Sequence, residues 1–100
     1  MLDKLDRIEA RYLDLEQQMA DPAIATDYQR VSKLAREQME LREVVESYRR
    51  YKRVTQELGE AQELLALADD AEMQELAQAE IDELVDEEKT QAEQLRTLLI

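Results

Sequence analysis

Apolar side chains return at steps of three and four along almost the whole chain, the periodicity of helices that each bury one stripe. Leu2, Leu5, Ile8, Tyr12, Leu15 and Met19 form the first such face and predict a helix over about residues 2–20. Pro22 biases Asp21 away from the α region, so Asp21–Ala25 reads as a break. The stretch that organises the rest is Asp27–Leu67, which contains no proline. Its seam runs through Val31, Leu34, Leu41, Val44/Val45, Tyr48, Tyr51, Thr55, Leu58 and Leu65, at steps averaging near three and a half residues. A helix of that length spans roughly 60 Å at about 1.5 Å per residue, and a stripe along it demands partner helices. Thr26 followed by Gln29 fits a capping box at its start. Asp69 followed by Glu72 signals the cap of a third helix, over about residues 70–99. Its apolar positions are Met73, Leu76, Ala77, Ile81, Leu84, Val85, Ala92, Leu95, Leu98 and Leu99.

Short connections between long helices favour antiparallel neighbours. The expected fold is therefore all-α: a three-helix up-down-up arrangement, an elongated antiparallel coiled-coil hairpin preceded by a shorter N-terminal helix, in a single domain over 1–100. Folding the third segment back about Asp69 sets residue i opposite roughly 138 minus i, by the geometry of an antiparallel pair. Folding the first segment about residues 23–24 lays Leu5 near Arg42 and Met19 near Tyr28. Gly59 falls inside the long helix, where close approach of a neighbour, plain tolerance and a hinge are the three readings. The terminal Leu98-Leu99-Ile100 is apolar and uncapped, and suggests a fragment of a longer multi-domain protein.

Composition narrows this further. With 38% charged and 4% aromatic residues there is little material for a thick globular core. No cysteine is present, so no disulfide supports an oxidising compartment, and no histidine is present to ligate metal or act as a base at neutral pH. The opening Met1-Leu2-Asp3-Lys4 lacks the basic and apolar regions of a signal peptide, and no apolar run approaches a membrane span. A cytoplasmic protein with no membrane role is expected.

The net charge of −12 is unevenly spread. Residues 28–58 carry eight bases against five acids, whereas residues 59–100 carry thirteen acids against Lys89 and Arg96 alone. A basic zone at mid-chain thus precedes a strongly acidic last third. In the antiparallel register Arg53 comes near Val85, and the basic zone is expected to meet Asp82, Glu83, Asp86, Glu87 and Glu88.

Candidate chemistry is sparse. The carboxylates Glu80, Asp82, Glu83, Asp86 and Glu87 lie at helical neighbour spacing, but they have no accompanying histidine or glycine-bearing loop and read as a solvated face. A calcium loop starting at Asp69 fails, because Ala71, Met73 and Gln74 occupy its third, fifth and sixth positions. Ser32 and Ser47 have no base beside them, and one glycine cannot build a phosphate-cradling loop. No catalytic, cofactor-binding or metal site is expected. Arg49, Arg50, Lys52 and Arg53, interleaved with Tyr48 and Tyr51, are the candidate RNA or partner contact, with cations for phosphates and rings for bases. Against this, both tyrosines lie on the apolar stripe, where they pack as core, and the bases can pair with the acidic third helix.

The ordered series Met1-Leu2-Asp3-Lys4-Leu5-Asp6 with Ile8-Glu9 and Arg11-Tyr12, Ala20-Asp21-Pro22, Leu34-Ala35-Arg36-Glu37, Val44-Val45-Glu46 with Tyr48 and Tyr51-Lys52, Ala61-Gln62-Glu63-Leu64-Leu65, and Glu72-Met73 with Glu75-Leu76-Ala77 resembles one family. It is similar to the N-terminal helical domain of bacterial class I peptide chain release factors, of the kind that reads UAA and UAG. Each piece is weak alone; their order and spacing over essentially the whole chain carry the resemblance.

The resemblance implies a ribosome-docking and interaction domain in translation termination. The stop-codon-reading and peptidyl-tRNA-hydrolysing domains lie outside it, since a Gly-Gly-Gln loop cannot be built with Gly59 as the only glycine. It also implies proximity to the large-subunit stalk base, the GTPase-associated region, and action with the class II release-factor GTPase; no cofactor or DNA contact is implied. The rival expectation is a structural coiled-coil scaffold or dimerisation module with no ribosomal role.

Overall fold

A computed structural model describes residues 1–100 and contains helices only: α1 (Leu2–Ala20), α2 (Pro22–Ala25), α3 (Tyr28–Leu67) and α4 (Ala71–Leu98). They divide into two compact units, Met1–Glu46 and Ser47–Ile100, with α3 contributing to both.

In the first unit, α1 buries Leu5 and Leu15 and leaves Ile8, Tyr12 and Met19 half-buried, so the expected face is the packed one except at Leu2, which is exposed at the helix start. The break after Ala20 is tighter than a loop. Asp21 is extended at φ −67°, ψ 122°, as a residue before proline must be, and its carboxylate accepts the Ala23 N–H at 3.0 Å. Pro22 then opens α2, a single turn, at the position where a missing N–H costs nothing, and Ile24 is tucked inward. The cap of α3 is Asp27 and not the expected Thr26: the Asp27 carboxylate accepts the Arg30 N–H at 3.2 Å, while Thr26 closes α2.

In the second unit, Val54, Leu58 and Ala61 of α3 form one apolar cluster with Ile81 and Leu84 of α4, with Leu65 packed against it. Only residues 68–70 connect α3 to α4, so a packed pair is antiparallel, and cluster members such as Val54 and Leu84 fit the anticipated sum of 138. One detail of the anticipated seam changes. Val54, 1% exposed, holds the place expected of Thr55, whose hydroxyl instead donates to the Tyr51 carbonyl at 2.8 Å from the exposed side. The seam steps by three from Tyr51 to Val54 and by four from Val54 to Leu58, whereas the anticipated one placed the step of four first.

The cap of α4 likewise shifts by one, from Asp69 to Asp70, whose carboxylate accepts the Met73 N–H at 2.8 Å. The Gln74 side-chain amide donates to the Ala68 carbonyl at 3.2 Å and satisfies an acceptor that the end of α3 leaves open. Gly59 has no positive φ, and a Cβ built there meets nothing within 4 Å. Of its three readings, close approach is removed.

Candidate functional site

The side chains of Arg49, Arg50, Lys52 and Arg53 are all exposed, placed by two successive turns of α3 on either side of a buried strip. The strip is Ser47, Tyr48 and Val54, each less than 5% exposed, with Tyr51 half-buried. Tyr48 is therefore a core residue and its ring is not available for stacking on a base. Lys52 Nζ lies 4.5 Å from the centroid of that ring, a cation–π contact between residues one turn apart.

The expected charge match across the two helices is not what Arg50 or Arg53 makes. Arg53 Nε lies 4.0 Å from Glu57 Oε1, one turn along its own helix, and Asp82 accepts a 2.9 Å hydrogen bond from Gln78, again on its own helix. Neither Arg50 nor Arg53 pairs with Asp82, Glu83, Asp86, Glu87 or Glu88. The reason is reach: an i,i+4 carboxylate is within range of an arginine at any rotation of the helix, whereas a partner across an apolar seam requires both charges to sit at its edge. The acidic face of α4 is left as a field of unneutralised charge.

The strongest polar contact lies in the first unit and was not anticipated as a pair. Arg11 on α1 donates from Nε and Nη2 to the two carboxylate oxygens of Glu37 on α3, at 2.5 and 2.9 Å, and from Nη1 to Asp14 at 3.0 Å. The fork hydrogen bond holds the Glu37 carboxyl below its ordinary range, aided by the charges of Arg11 and Lys33 and opposed by partial desolvation. The same bond raises the guanidinium further above its already high value. The residues at this pair sum to nearly the value expected for α1 folded back on α3, so the signal for it was present in the register.

Two buried polar atoms lack partners, Ser47 Oγ and Gln91 Oε1. Neither sits with a nucleophile or base, and no group of three acidic side chains is close enough to hold a metal ion. No helix is long and apolar enough to cross a membrane.

At the α3–α4 corner a cleft of about 170 Å³ is lined by Leu64, Ala68, Met73, Leu76, Ala77 and Glu80. Leu64, Met73 and Leu76 are 57%, 52% and 67% exposed, and Leu67 beside them is 81% exposed. Met73 and Leu76 were anticipated as core because they fall on the helical period, but they lie beyond the last buried pair and face outward.

Fold and surface together define a class: an all-α arrangement of paired helices that exposes charged and apolar surfaces. The family model for the PCRF domain matches residues 8–100, and the chain belongs to that family. Curated relatives agree over its full length. Peptide chain release factor 1 of Bacillus anthracis is 41% identical over 100 residues, and those of Enterococcus faecalis and Bacillus licheniformis are 40% and 38% identical. In each case all of this chain is covered and 28% of the relative, so the chain spans little more than a quarter of the proteins it matches. No solved structure matches it significantly.

Proposed function

We propose that residues 1–100 form the helical docking domain of a bacterial peptide chain release factor that reads UAA and UAG, and that they work in translation termination by positioning. The observation that carries this reading is the similarity to release factors along the whole chain, 41% identity over 100 residues together with a family match over residues 8–100. A domain that anchors a multi-domain factor raises the local concentration of its other domains at their targets without performing chemistry. The ribosome is the partner and the cytoplasm the compartment. Within the ribosome, the stalk base of the large subunit, the GTPase-associated region, is the proposed contact, with the class II release-factor GTPase as functional partner.

Arg49, Arg50, Lys52 and Arg53 are the proposed contact with ribosomal RNA, supported by their exposure and by the absence of compensating pairs between Arg50 or Arg53 and α4. The scaffold reading is disfavoured, because helical composition alone does not reproduce a release-factor sequence in order over 100 residues.

The experiment is a release assay on the complete factor with and without residues 1–100. The shortened factor is expected to retain codon-dependent hydrolysis and to lose most of its response to the GTPase. An unchanged response overturns the proposal.

A further inference from the structure

The α3–α4 corner combines two features that the charge and apolar patterns produce independently. One is the cleft between Leu64, Met73 and Leu76, an apolar surface left open although Asp70 and Gln74 hold the turn around it in place. The other is the charge around it. From residue 54 to residue 88 the chain carries thirteen acids and not one lysine or arginine, and Glu80 itself lines the cleft. Single exposed leucines are ordinary on a protein surface; three large, exposed apolar side chains around one concavity are a binding signal.

We infer that this corner is the docking site for a basic amphipathic segment of a partner protein, most simply a helix that sets its apolar stripe in the cleft and its lysines or arginines against the acidic rim. The charge decides among occupants. A polyanionic RNA is repelled by this surface, and a second copy of the chain would bring two such acidic corners together. A cationic helix satisfies both features at once, through i, i+3, i+4 anchors in the groove and complementary charge around it. Met73 suits the role, since its unbranched thioether adapts to the shape of an incoming side chain. This inference rests on the docking role proposed above and assigns that role a second, protein-directed surface. RNA contact is left to the basic turns of α3.

The test uses a short peptide of leucine and lysine at helical spacing, titrated by fluorescence anisotropy against the complete factor and against the 100-residue chain. The matched leucine–glutamate peptide and polyuridylate RNA serve as comparators. Expected are saturable binding of the lysine peptide to both proteins, amide shifts confined to residues 64–80, and no corner binding by either comparator. Met73→Gln with Leu76→Gln, both at exposed positions that leave helicity intact, should weaken binding about ten-fold or more. Glu72→Gln, Glu75→Gln and Glu80→Gln together should weaken it and flatten its salt dependence. The inference is overturned by equal binding of the glutamate peptide, by RNA or self-association at the corner, by indifference to the Met73 and Leu76 changes, or by binding to the 100-residue chain that is lost in the complete factor. That last result would mean the corner is covered from within. Because no ribosome enters the assay, failure here is distinct from failure of ribosome docking.

Discussion

Arg11 and Glu37 meet across α1 and α3 in a two-pronged pair, both guanidinium–carboxylate contacts within 2.9 Å. The pair is solvent-exposed, so its energetic weight is small, but its geometry fixes where α1 lies along the start of α3. Its pH dependence follows from the direction of the shift. The Glu37 carboxyl is more acidic folded than unfolded, so its contribution is complete above the ordinary glutamate value of about 4.3 and fades as pH falls through the lower folded value. Thermal melts of the wild type and Glu37→Gln at low salt should therefore differ slightly at pH 7 and converge in acid. A difference that persists unchanged below pH 3 would assign the effect to shape and not to charge.

The apolar cluster of the second unit carries far more. Leu84 is 7% exposed among Val54, Leu58 and Ile81, and Leu84→Ala removes buried area and leaves a void at the seam, a loss of about 2–3 kcal/mol. Leu76→Ala, eight residues earlier on the same helix and 67% exposed, should change stability by less than about 0.5 kcal/mol. Urea unfolding of the two variants checks the contrast directly.

The break at Pro22 and the helix lengths were legible because they depend on residues whose local effect is strong: a proline that forces its predecessor into extended backbone, and aspartates that cap. Which aspartate caps was not legible. Asp69 and Asp70 are adjacent, as are Thr26 and Asp27, and the choice depends on which carboxylate or hydroxyl reaches an N–H two or three residues on. The register between α3 and α4 is legible from the position of the turn, but the choice between the neighbours Val54 and Thr55 is not, because steps of three and of four both fit a helical stripe. For the candidate site, composition located Arg49, Arg50, Lys52 and Arg53 and could not assign their partners, since an arginine reaches acids along its own helix as readily as across a seam. The open corner was missed for the same reason: periodicity marks Met73 and Leu76 as one face with Ile81, and only the structure shows that their partners have run out.

Gly59 offers a gain. Its φ is negative, its surroundings leave room for a methyl group, and a glycine inside a helix is disfavoured against alanine by about 1 kcal/mol, chiefly through the freedom it gives the unfolded chain. Gly59→Ala should raise the urea midpoint by the equivalent of about 0.5–1 kcal/mol at unchanged slope. If the glycine serves as a hinge, the gain in stability will come with a loss of termination activity in the complete factor.

Ser47 is fully buried and its hydroxyl has no partner. An unsatisfied buried donor costs about 1–3 kcal/mol, and replacing it by a methyl group removes the penalty while opening little space. Ser47→Ala should accordingly be neutral or stabilising by up to about 1 kcal/mol, in contrast to most core substitutions. A destabilised Ser47→Ala variant in the same urea titration would show that the hydroxyl is satisfied in solution.

The basic turns of α3 give the sharpest division between a structural and a ribosomal role. Arg50 and Arg53 are exposed, and Arg53 holds only a long contact to Glu57, so neither is needed to fasten α3 to α4. Replacing all four of Arg49, Arg50, Lys52 and Arg53 by glutamine should leave helicity intact and lower stability slightly, by the small worth of exposed pairs and of the Lys52 contact with Tyr48. If these side chains meet phosphates, ribosome affinity of the complete factor falls, and the slope of log affinity against log salt flattens by roughly 0.7–0.9 for each contact removed. The slope matters more than the affinity, because a misdocked but folded domain would weaken binding without changing its salt dependence. A variant with native affinity and native slope would return these four residues to the role of solubilising surface, and the ribosomal contact would have to be sought elsewhere on the domain.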